Sequence, residues 1–319
     1  MREFIPYGHQ SIDEDDLAAV REALTSDYLT TGPRVAEFED AIAAKVGAGH
    51  GVAVSNGTAA LHAAYHALGI GPGDEVIVPP MTFAATANAV LYCGATPIFA
   101  DVDPGTLLLN PDAAAAAISP RTRAITAVDY GGQPCEWARL RTIATDHGLD
   151  LVADGCHALG ATLGGRAVGT LADLTVFSFH PVKHITTGEG GMVVTDRVDL
   201  AAAMRMFRTH GITSDAAARE TQGTWFYEMQ VLGYNYRITD IQCALGLSQL
   251  RRMEPWLARR RALAATYDRA FAGCPGIRPL VVRPGLEHAW HLYVVRVQDR
   301  REVFEGMRAA GIGVNVHYI

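Results

Sequence analysis

The middle of the chain alternates short apolar runs with segments of helical periodicity. The runs HGVAVS, DEVIVPP, RAITAVDYGG and LDLVAD are rich in β-branched residues, and glycines or alanine- and leucine-rich stretches follow them. This alternation predicts repeated strand–helix–strand units, and therefore an α/β fold with a mostly parallel central sheet. The runs are apolar at nearly every position, as expected for strands that helices cover on both faces.

The two ends of the chain follow a different pattern from the middle. Two helices are predicted before the sheet, the first with Ser11 as its N-cap. After the sheet, the pattern predicts one long helix, bent near Pro255, and then strand, helix and strand. We therefore predict N-terminal helices with a large domain at residues 1–240. A linking helix and a small C-terminal α/β domain follow at residues 241–319, and we expect that domain to be incomplete.

Composition and charge exclude several classes of protein. The chain has 49% hydrophobic and 19% charged residues, as in a globular protein with a substantial core, and its net charge of −7 argues against general nucleic-acid binding. We expect no signal peptide and no membrane span. The five cysteines are scattered without a CxxC pair, which predicts a reduced, cytoplasmic protein without a zinc cage.

One lysine marks the candidate chemistry. Only two of the 27 basic residues are lysines, and one of them, Lys183, lies in TVFSFHPVKHITTGEGG, just beyond an apolar run. A primary amine condenses reversibly with an aldehyde, whereas a guanidinium does not. The retention of lysine where the chain otherwise uses arginine therefore indicates a Schiff base at this position.

Other candidate residues follow predicted strands, where ligands collect in open α/β sheets. SNGTAAL, with Thr58, is suited to bind an anion at a helix N-terminus, although an ordinary capped helix has the same pattern. Asp154 ends a strand and serves equally as a structural cap or as the partner of a cation. Phe83 is placed to stack on a ring, although a core aromatic is the simpler interpretation. Together with Lys183, these features predict a pyridoxal phosphate site.

His180 and His184 flank the lysine at a spacing of four residues. A metal-binding pair at this spacing would have to share one helix face, and Pro181 disfavours that helix. We therefore predict no metal site.

The motifs resemble those of the DegT/DnrJ/EryC1/StrS sugar aminotransferase family. The resemblance rests on Asp154, His157, Ser178 and Lys183 in order, with SNGTAALH before them and GYNYRITDIQCALGLSQL after them. It implies fold type I of the pyridoxal phosphate-dependent transferases, the aspartate-aminotransferase type, and a homodimer with shared active sites.

The resemblance also implies a role for each matching residue. Lys183 would form the Schiff base and move the proton, Asp154 would face the pyridine nitrogen, and His157 would lie beside the ring. The remaining cofactor-binding positions would be Gly57, Thr58, Ala59, Phe83, Ser178 and, from the neighbouring subunit, Asn235. Positions for the sugar nucleotide would be Tyr7, Asp27, Tyr28, Leu29, Thr30, Gly57, Ser178, Asn235, Asn315, His317 and Tyr318.

The segments FIPYGHQSIDEDD, VFSFHPVK and GIGVNVHY are most similar to the branch of the family that acts in pseudaminic acid biosynthesis. This implies transfer of the amino group of L-glutamate, through pyridoxamine phosphate, to C4 of a UDP-linked 4-keto-6-deoxy-N-acetylhexosamine. The product would be UDP-4-amino-4,6-dideoxy-N-acetyl-beta-L-altrosamine.

Three other functions are compared with this one. The sequence leaves the first open and argues against the other two. Another nucleotide-ketosugar aminotransferase, making perosamine, bacillosamine or a 3-amino sugar, would share the same motifs. A 3-dehydratase of the family would carry histidine in place of Lys183. A non-catalytic sugar-nucleotide binding protein would be expected to lose Lys183 or Asp154, and both are present.

The substitution Lys183→Arg tests the need for an amine. It keeps the positive charge but removes the nucleophile, so we expect it to abolish transamination. The measurement is amino transfer to a ketosugar, and a variant that worked at the normal rate would contradict the mechanism.

Overall fold

The computed structural model describes residues 4–213, 219 and 223–319. Its first helix is capped differently from our prediction. Helix α1 (Glu14–Leu24) begins after Asp13, so the predicted cap at Ser11 is wrong. The Asp13 carboxylate accepts from the N–H of Asp16 at 3.1 Å, and the Asp16 carboxylate accepts from the N–H of Asp13 at 3.3 Å. This reciprocal pair satisfies two backbone donors, whereas a serine cap would satisfy one.

The central sheet has seven strands in the order β1-β9-β8-β5-β4-β2-β3. Six of them run in one direction, and β9 alone is antiparallel to both of its neighbours. The mostly parallel sheet is therefore confirmed, although the sequence pattern did not single out β9 as a strand. The strands are β1 (His50–Val54), β2 (Glu75–Val78), β3 (Thr96–Phe99), β4 (Thr122–Val128), β5 (Asp150–Asp154), β8 (Leu174–Ser178) and β9 (Gly191–Thr195).

Helices cover both faces of the sheet, and alternate strand residues enter two separate cores. On β1, for example, Val52 and Val54 join one core while Ala53 joins the other. Helices α3, α4 and α7 line the first core, and α2 and α6 line the second. Their bounds are α2 (Pro33–Val46), α3 (Gly57–Ala67), α4 (Ala85–Tyr92), α5 (Pro111–Ala116), α6 (Trp137–His147) and α7 (Val198–Phe207).

The predicted long helix near Pro255 is two helices, α8 (Asp240–Leu250) and α9 (Met253–Phe271). The break lies at residues 251–252, and Pro255 follows it in the first turn of α9. Proline is tolerated there because the first-turn N–H groups have no partner within the helix. The Asp240 carboxylate accepts from the N–H groups of Gly32 and Arg34, which anchors α8 to the start of α2.

The C-terminal part contains short strands and one helix. Strands β10 (Ile277–Pro279) and β12 (Val295–Val297) pair with each other, and α10 spans Arg300–Ala309. Strand β11 (Leu286–Glu287) extends the hairpin of β6 (Thr162–Leu163) and β7 (Arg166–Ala167). The last strand, predicted in GVNVHYI at residues 313–319, does not form; a single bridge lies just before it, where Ile312 pairs with Ile5. The domain boundary near residue 240 stays a prediction.

Glu39 of α2 ties three elements of the large sheet's edge together. Its buried carboxylate accepts from the N–H of Ala53 on β1 at 2.9 Å and pairs with Arg205 and Arg208 of α7. Arg208, with 15% of its side chain exposed, also donates to the carbonyl of Ala53, so the pair is largely enclosed.

Glu39→Ala should lower the free energy of unfolding by about 3 kcal/mol, because it removes the carboxylate that pairs with Arg205 and Arg208 and leaves the buried N–H of Ala53 without its acceptor. The measurement is equilibrium denaturation. The matched control is Glu37→Ala on the same helix, where an exposed carboxylate pairs with Arg34, and there we expect a change below about 1 kcal/mol. Equal effects at the two positions would contradict this account.

Candidate active site

The candidate site forms where strands β5 and β8 end. These strands are parallel neighbours, with Asp154 opposite Val176, so Asp154 and Ser178 lie at the same edge of the sheet. Strand β1 ends at this edge too, and leads through residues 55–56 into α3. The sheet therefore gathers three of the predicted motifs, which are distant in sequence, into one place.

Asp154 is buried, with 6% of its surface exposed, and both of its carboxylate oxygens accept hydrogen bonds. The hydroxyl of Thr86 donates to Oδ2 at 2.7 Å, and the N–H of Cys156 donates to Oδ1 at 3.2 Å. Thr86 is in turn bonded to the hydroxyl of Thr82. These donors hold the carboxylate in one orientation, facing a ligand as an acceptor.

The SNGT motif forms the N-terminus of α3. Asn56 caps the helix, and its side chain accepts from the N–H of Ala59 at 2.8 Å. Because the Asn56 side chain occupies the N–H of Ala59, the N–H groups of Gly57 and Thr58 are the ones that can donate to a bound anion. A Cβ on Gly57 would lie 3.1 Å from Cβ of Ser178 and 3.4 Å from Sγ of Cys156. Glycine at this position avoids these tight contacts between the start of α3 and the ends of β5 and β8.

Lys183 lies in the loop between β8 and β9. Its backbone N–H donates to the carbonyl of His180 at 2.9 Å, which forms a tight turn after the strand. Burial lowers the pKa of the Lys183 amine, and the nearby Cys156 and Asp154 act in the opposite direction. A lowered pKa increases the fraction of neutral amine, which is the nucleophilic form.

His157 is neutral and of defined tautomer. Its Nδ1 accepts from the N–H of Gly131 at 3.3 Å, so the proton lies on Nε2, which is 3.3 Å from the hydroxyl of Tyr318. Burial lowers the pKa of the imidazole well below its usual value, and the charge of Lys183 lowers it further. His157 therefore offers an N–H donor at the site and no positive charge.

Residues from the two ends of the chain meet at this site. The Tyr7 hydroxyl lies 3.1 Å from Nε2 of His317, and the buried Tyr130 donates to the His317 carbonyl. The ring of Tyr318 lies roughly parallel to that of His157, with centroids 6.5 Å apart. Burial raises the pKa of Tyr7 to about 12, so its hydroxyl is protonated and available as a donor near neutral pH.

The other predicted positions lie at the rim or apart. Phe83 is 62% exposed, and its ring centroid is 6.2 Å from that of Tyr318. Residues 27–30 are exposed on the connection between α1 and α2. Asn315 is exposed and its side chain accepts from the next backbone N–H, while Asn235 is exposed with its backbone paired to Thr209.

Three residues of the site were not predicted from the sequence: Thr86, Cys156 and Tyr130. Thr86 lies three residues after Phe83 in PPMTFAATAN, but its contact with Asp154 depends on the order of strands in the sheet. Asn56 was quoted within SNGT, and its residue type at the start of a helix was a sufficient signal for an N-cap.

These groups fit pyridoxal phosphate. A buried, oriented carboxylate suits a protonated pyridine nitrogen, and free N–H groups at the start of α3 suit a phosphate. A half-buried amine of lowered pKa suits an aldehyde. A single ligand that complements all three groups must carry a cation, an anion and a carbonyl group.

Comparison with protein families gives one match along almost the whole chain. Residues 10–319 match the model of the DegT/DnrJ/EryC1/StrS aminotransferase family. The chain belongs to this family. The membership confirms the resemblance drawn from Asp154, His157, Ser178 and Lys183, and it makes the protein an aminotransferase.

Relatives of the DegT/DnrJ/EryC1/StrS family align over the same span. The spore coat polysaccharide biosynthesis protein SpsC of Bacillus subtilis is 42% identical over 99% of this chain and 83% of its own length. Spr1654 of Streptococcus pneumoniae, described as a sugar aminotransferase and solved in a PMP form, has a TM-score of 0.93 at 33% identity, over 99% and 86% of the two chains. It has also been solved in a PLP form.

A third relative is PseC of Helicobacter pylori, an aminotransferase of pseudaminic acid biosynthesis. Its structure has a TM-score of 0.92 at 34% identity, over 99% of this chain and 85% of that one. These similarities, with the sheet described above, confirm the predicted fold type I. In the described parts of the chain, no helix is long and apolar enough to cross a membrane, and no cluster of His, Cys, Asp and Glu is arranged to hold a metal ion.

Thr86→Val should weaken the binding of pyridoxal phosphate by about 10- to 100-fold, because Asp154 loses a charge-assisted hydrogen bond while the side-chain shape is kept. The measurement is the Kd from cofactor fluorescence or absorption. Thr86→Ser keeps the hydroxyl and should bind nearly as tightly as the wild type. If valine and serine bound equally well, Thr86 would have no role in orienting Asp154.

Proposed function

We propose that the protein transfers the amino group of L-glutamate to C4 of a UDP-linked 4-keto-6-deoxy-N-acetylhexosamine. The product would be UDP-4-amino-4,6-dideoxy-N-acetyl-beta-L-altrosamine, an intermediate of pseudaminic acid biosynthesis. The coarser activity, amino transfer to a nucleotide sugar, follows from membership of the family.

The observation that carries the proposal is the set of chemically distinct groups at the ends of β5, β8 and β1. Asp154, Lys183 and the N-terminus of α3 converge there. The similarity to PseC supports the particular sugar. Tyr7, His317 and Tyr318 add hydroxyl and imidazole groups beside the same site, which suit a polyhydroxylated substrate.

The cofactor is pyridoxal phosphate, as predicted. When bound, it supplies an electron sink and carries the amino group from one carbonyl compound to the other. Asp154 would hold the pyridine nitrogen in its protonated form, because Thr86 and the Cys156 N–H fix the carboxylate. Gly57, Thr58 and Ser178 would hold the phosphate, while Ala59, also predicted to bind it, has its N–H bonded to the Asn56 side chain.

Lys183 would move the proton in both half-reactions. Its side chain is partly buried and its pKa is lowered, so a larger fraction of the amine is in the neutral form that can accept a proton and return it. His157 would stay neutral and donate from Nε2, because Nδ1 is occupied by the Gly131 N–H. Neither residue requires a metal ion for this role.

A second candidate is an aminotransferase for a different nucleotide ketosugar. SpsC, a protein of spore coat polysaccharide biosynthesis, has a higher identity to this chain, at 42%, than PseC, at 34%. This favours testing ketosugars other than the pseudaminic acid precursor, with attack at C3 as well as at C4.

We also propose a homodimer with shared active sites, in which Asn235 reaches the neighbouring phosphate site. Support comes from residues 225–234, which directly precede Asn235 and expose several large apolar side chains. Trp225 is 84% exposed, Leu232 75% and Met229 67%. A second copy of the chain would remove this apolar surface from water.

A cytoplasmic location is part of the proposal. All five cysteines are free, and two of them, Cys135 and Cys243, are fully enclosed in the core. A reducing compartment keeps such thiols in this form.

The test is to record the visible absorption of the purified protein with pyridoxal phosphate before and after adding L-glutamate, and then to add individual nucleotide ketosugars. We expect the absorption to fade with glutamate and to return with the UDP-linked 4-keto-6-deoxy-N-acetylhexosamine. The amino sugar would be identified by mass spectrometry and NMR.

Each result separates the candidates. Return of the absorption only with a dTDP- or GDP-linked ketosugar would replace the proposed substrate by the second candidate. Fading with no return for any ketosugar would leave the first half-reaction intact but contradict the sugar specificity. Lys183→Arg is the control that should show neither change.

A further inference from the structure

His184, which directly follows Lys183, is not explained by binding of a cofactor or a sugar. Its imidazole is buried, with 5% of its surface exposed, and Nε2 lies 3.0 Å from the carbonyl oxygen of Ala289. A carbonyl oxygen only accepts, so Nε2 carries the proton and donates it. Burial lowers the pKa of this imidazole to about 3, and it is therefore neutral under all ordinary conditions.

Ala289 belongs to the segment His288–Leu292, which is bonded to the turn after β4. The N–H of Ala289 donates to the carbonyl of Gly132 at 2.9 Å, and the N–H of Leu292 donates to the carbonyl of Gly131 at 3.1 Å. The same Gly131 donates its own N–H to Nδ1 of His157. A series of hydrogen bonds, joined by short backbone links, thus connects His184 to His157 at the cofactor site.

The packing is close at two points of this series of hydrogen bonds, Gly132 and His291. Gly132 has a φ of 105°, and a Cβ on it would lie 2.8 Å from the carbonyl oxygen of His157 and 2.9 Å from the N of Trp290. The ring of His291 lies between the two other histidines, 4.5 Å from the ring of His157 and 5.6 Å from that of His184. Movement of one segment would therefore displace the others.

We propose that His184 is a positioning residue, and that its bond to Ala289 fixes Lys183 relative to His157 through the segment His288–Leu292. The Lys183 amine is then held in its half-buried place by the neighbouring segment, as well as by its own loop. The inference rests on the proposed role of Lys183 in amino transfer, but its test needs neither a cofactor nor a substrate.

The test uses the fact that the chain contains two lysines. In the full-length protein freed of cofactor, the rate of acetylation of each lysine is measured against pH, and peptide mass spectrometry separates the two. Lys45, which pairs with Glu254 on the surface, is the internal reference. The charged and titratable groups around Lys183 are Asp154, Cys156, His157, His184, His291 and His317.

Three variants separate the hydrogen bond from packing. His184→Gln places an amide N–H where Nε2 lies, so it should keep the pKa of Lys183 as low as in the wild type. His184→Met fills the space without a donor, and His184→Asn has a donor that is too short to reach Ala289. In both we expect water to enter the loop and the pKa of Lys183 to rise by about one unit, with Lys45 unchanged.

Thermal unfolding of each variant identifies those that fold. If His184→Met does not fold, the comparison of Asn with Gln decides the question. An unchanged Lys183 pKa in the Asn and Met variants would overturn the proposal, even if their stability fell, because His184 would then be only a structural residue. A folded Gln variant that behaved like the Asn variant would overturn it as well.

Discussion

The site depends on a carboxylate, that of Asp154, which lies out of water. A carboxylate out of water is stable only if donors or cations surround it. Asp154 accepts hydrogen bonds from two donors, the Thr86 hydroxyl and the Cys156 N–H. The Lys183 amine lies near enough to interact electrostatically with the Asp154 carboxylate. The requirement that all three meet at one strand end is met by the loop after β8, which carries Lys183.

That requirement also explains the small residues around the site. A side chain at Gly57 would press against Ser178 and Cys156, with its Cβ 3.1 Å from Cβ of Ser178. With glycine there, the N-terminus of α3 faces the same opening as Asp154 and Lys183. A catalytic amine, a carboxylate and a set of backbone donors therefore share one opening, although they come from three different strands.

The sequence was sufficient for the residues whose chemistry is unusual for their position. Lys183 differs from the chain's general use of arginine, and Asp154 ends an apolar run, so both could be found without a structure. Six of the seven sheet strands could be found from apolar runs in the same way. Thr86 and the link from His184 to Ala289 could not, because each joins segments that only the folded chain brings together. The break at residues 251–252 was missed because both helices continue the same periodicity across it.

The order of strands has a consequence for synthesis of the protein. Strand β1, which leads into the phosphate-binding end of α3, lies at the edge of the sheet, and its partner there is β9. His50 pairs with Thr195, so nearly half of the chain separates the two partners. During synthesis, β1 can pair with the sheet only after β9 has been made, and the cofactor site cannot be completed before then. A nascent chain that stops before residue 191 could hold the other parallel strands together and still be unable to bind its cofactor.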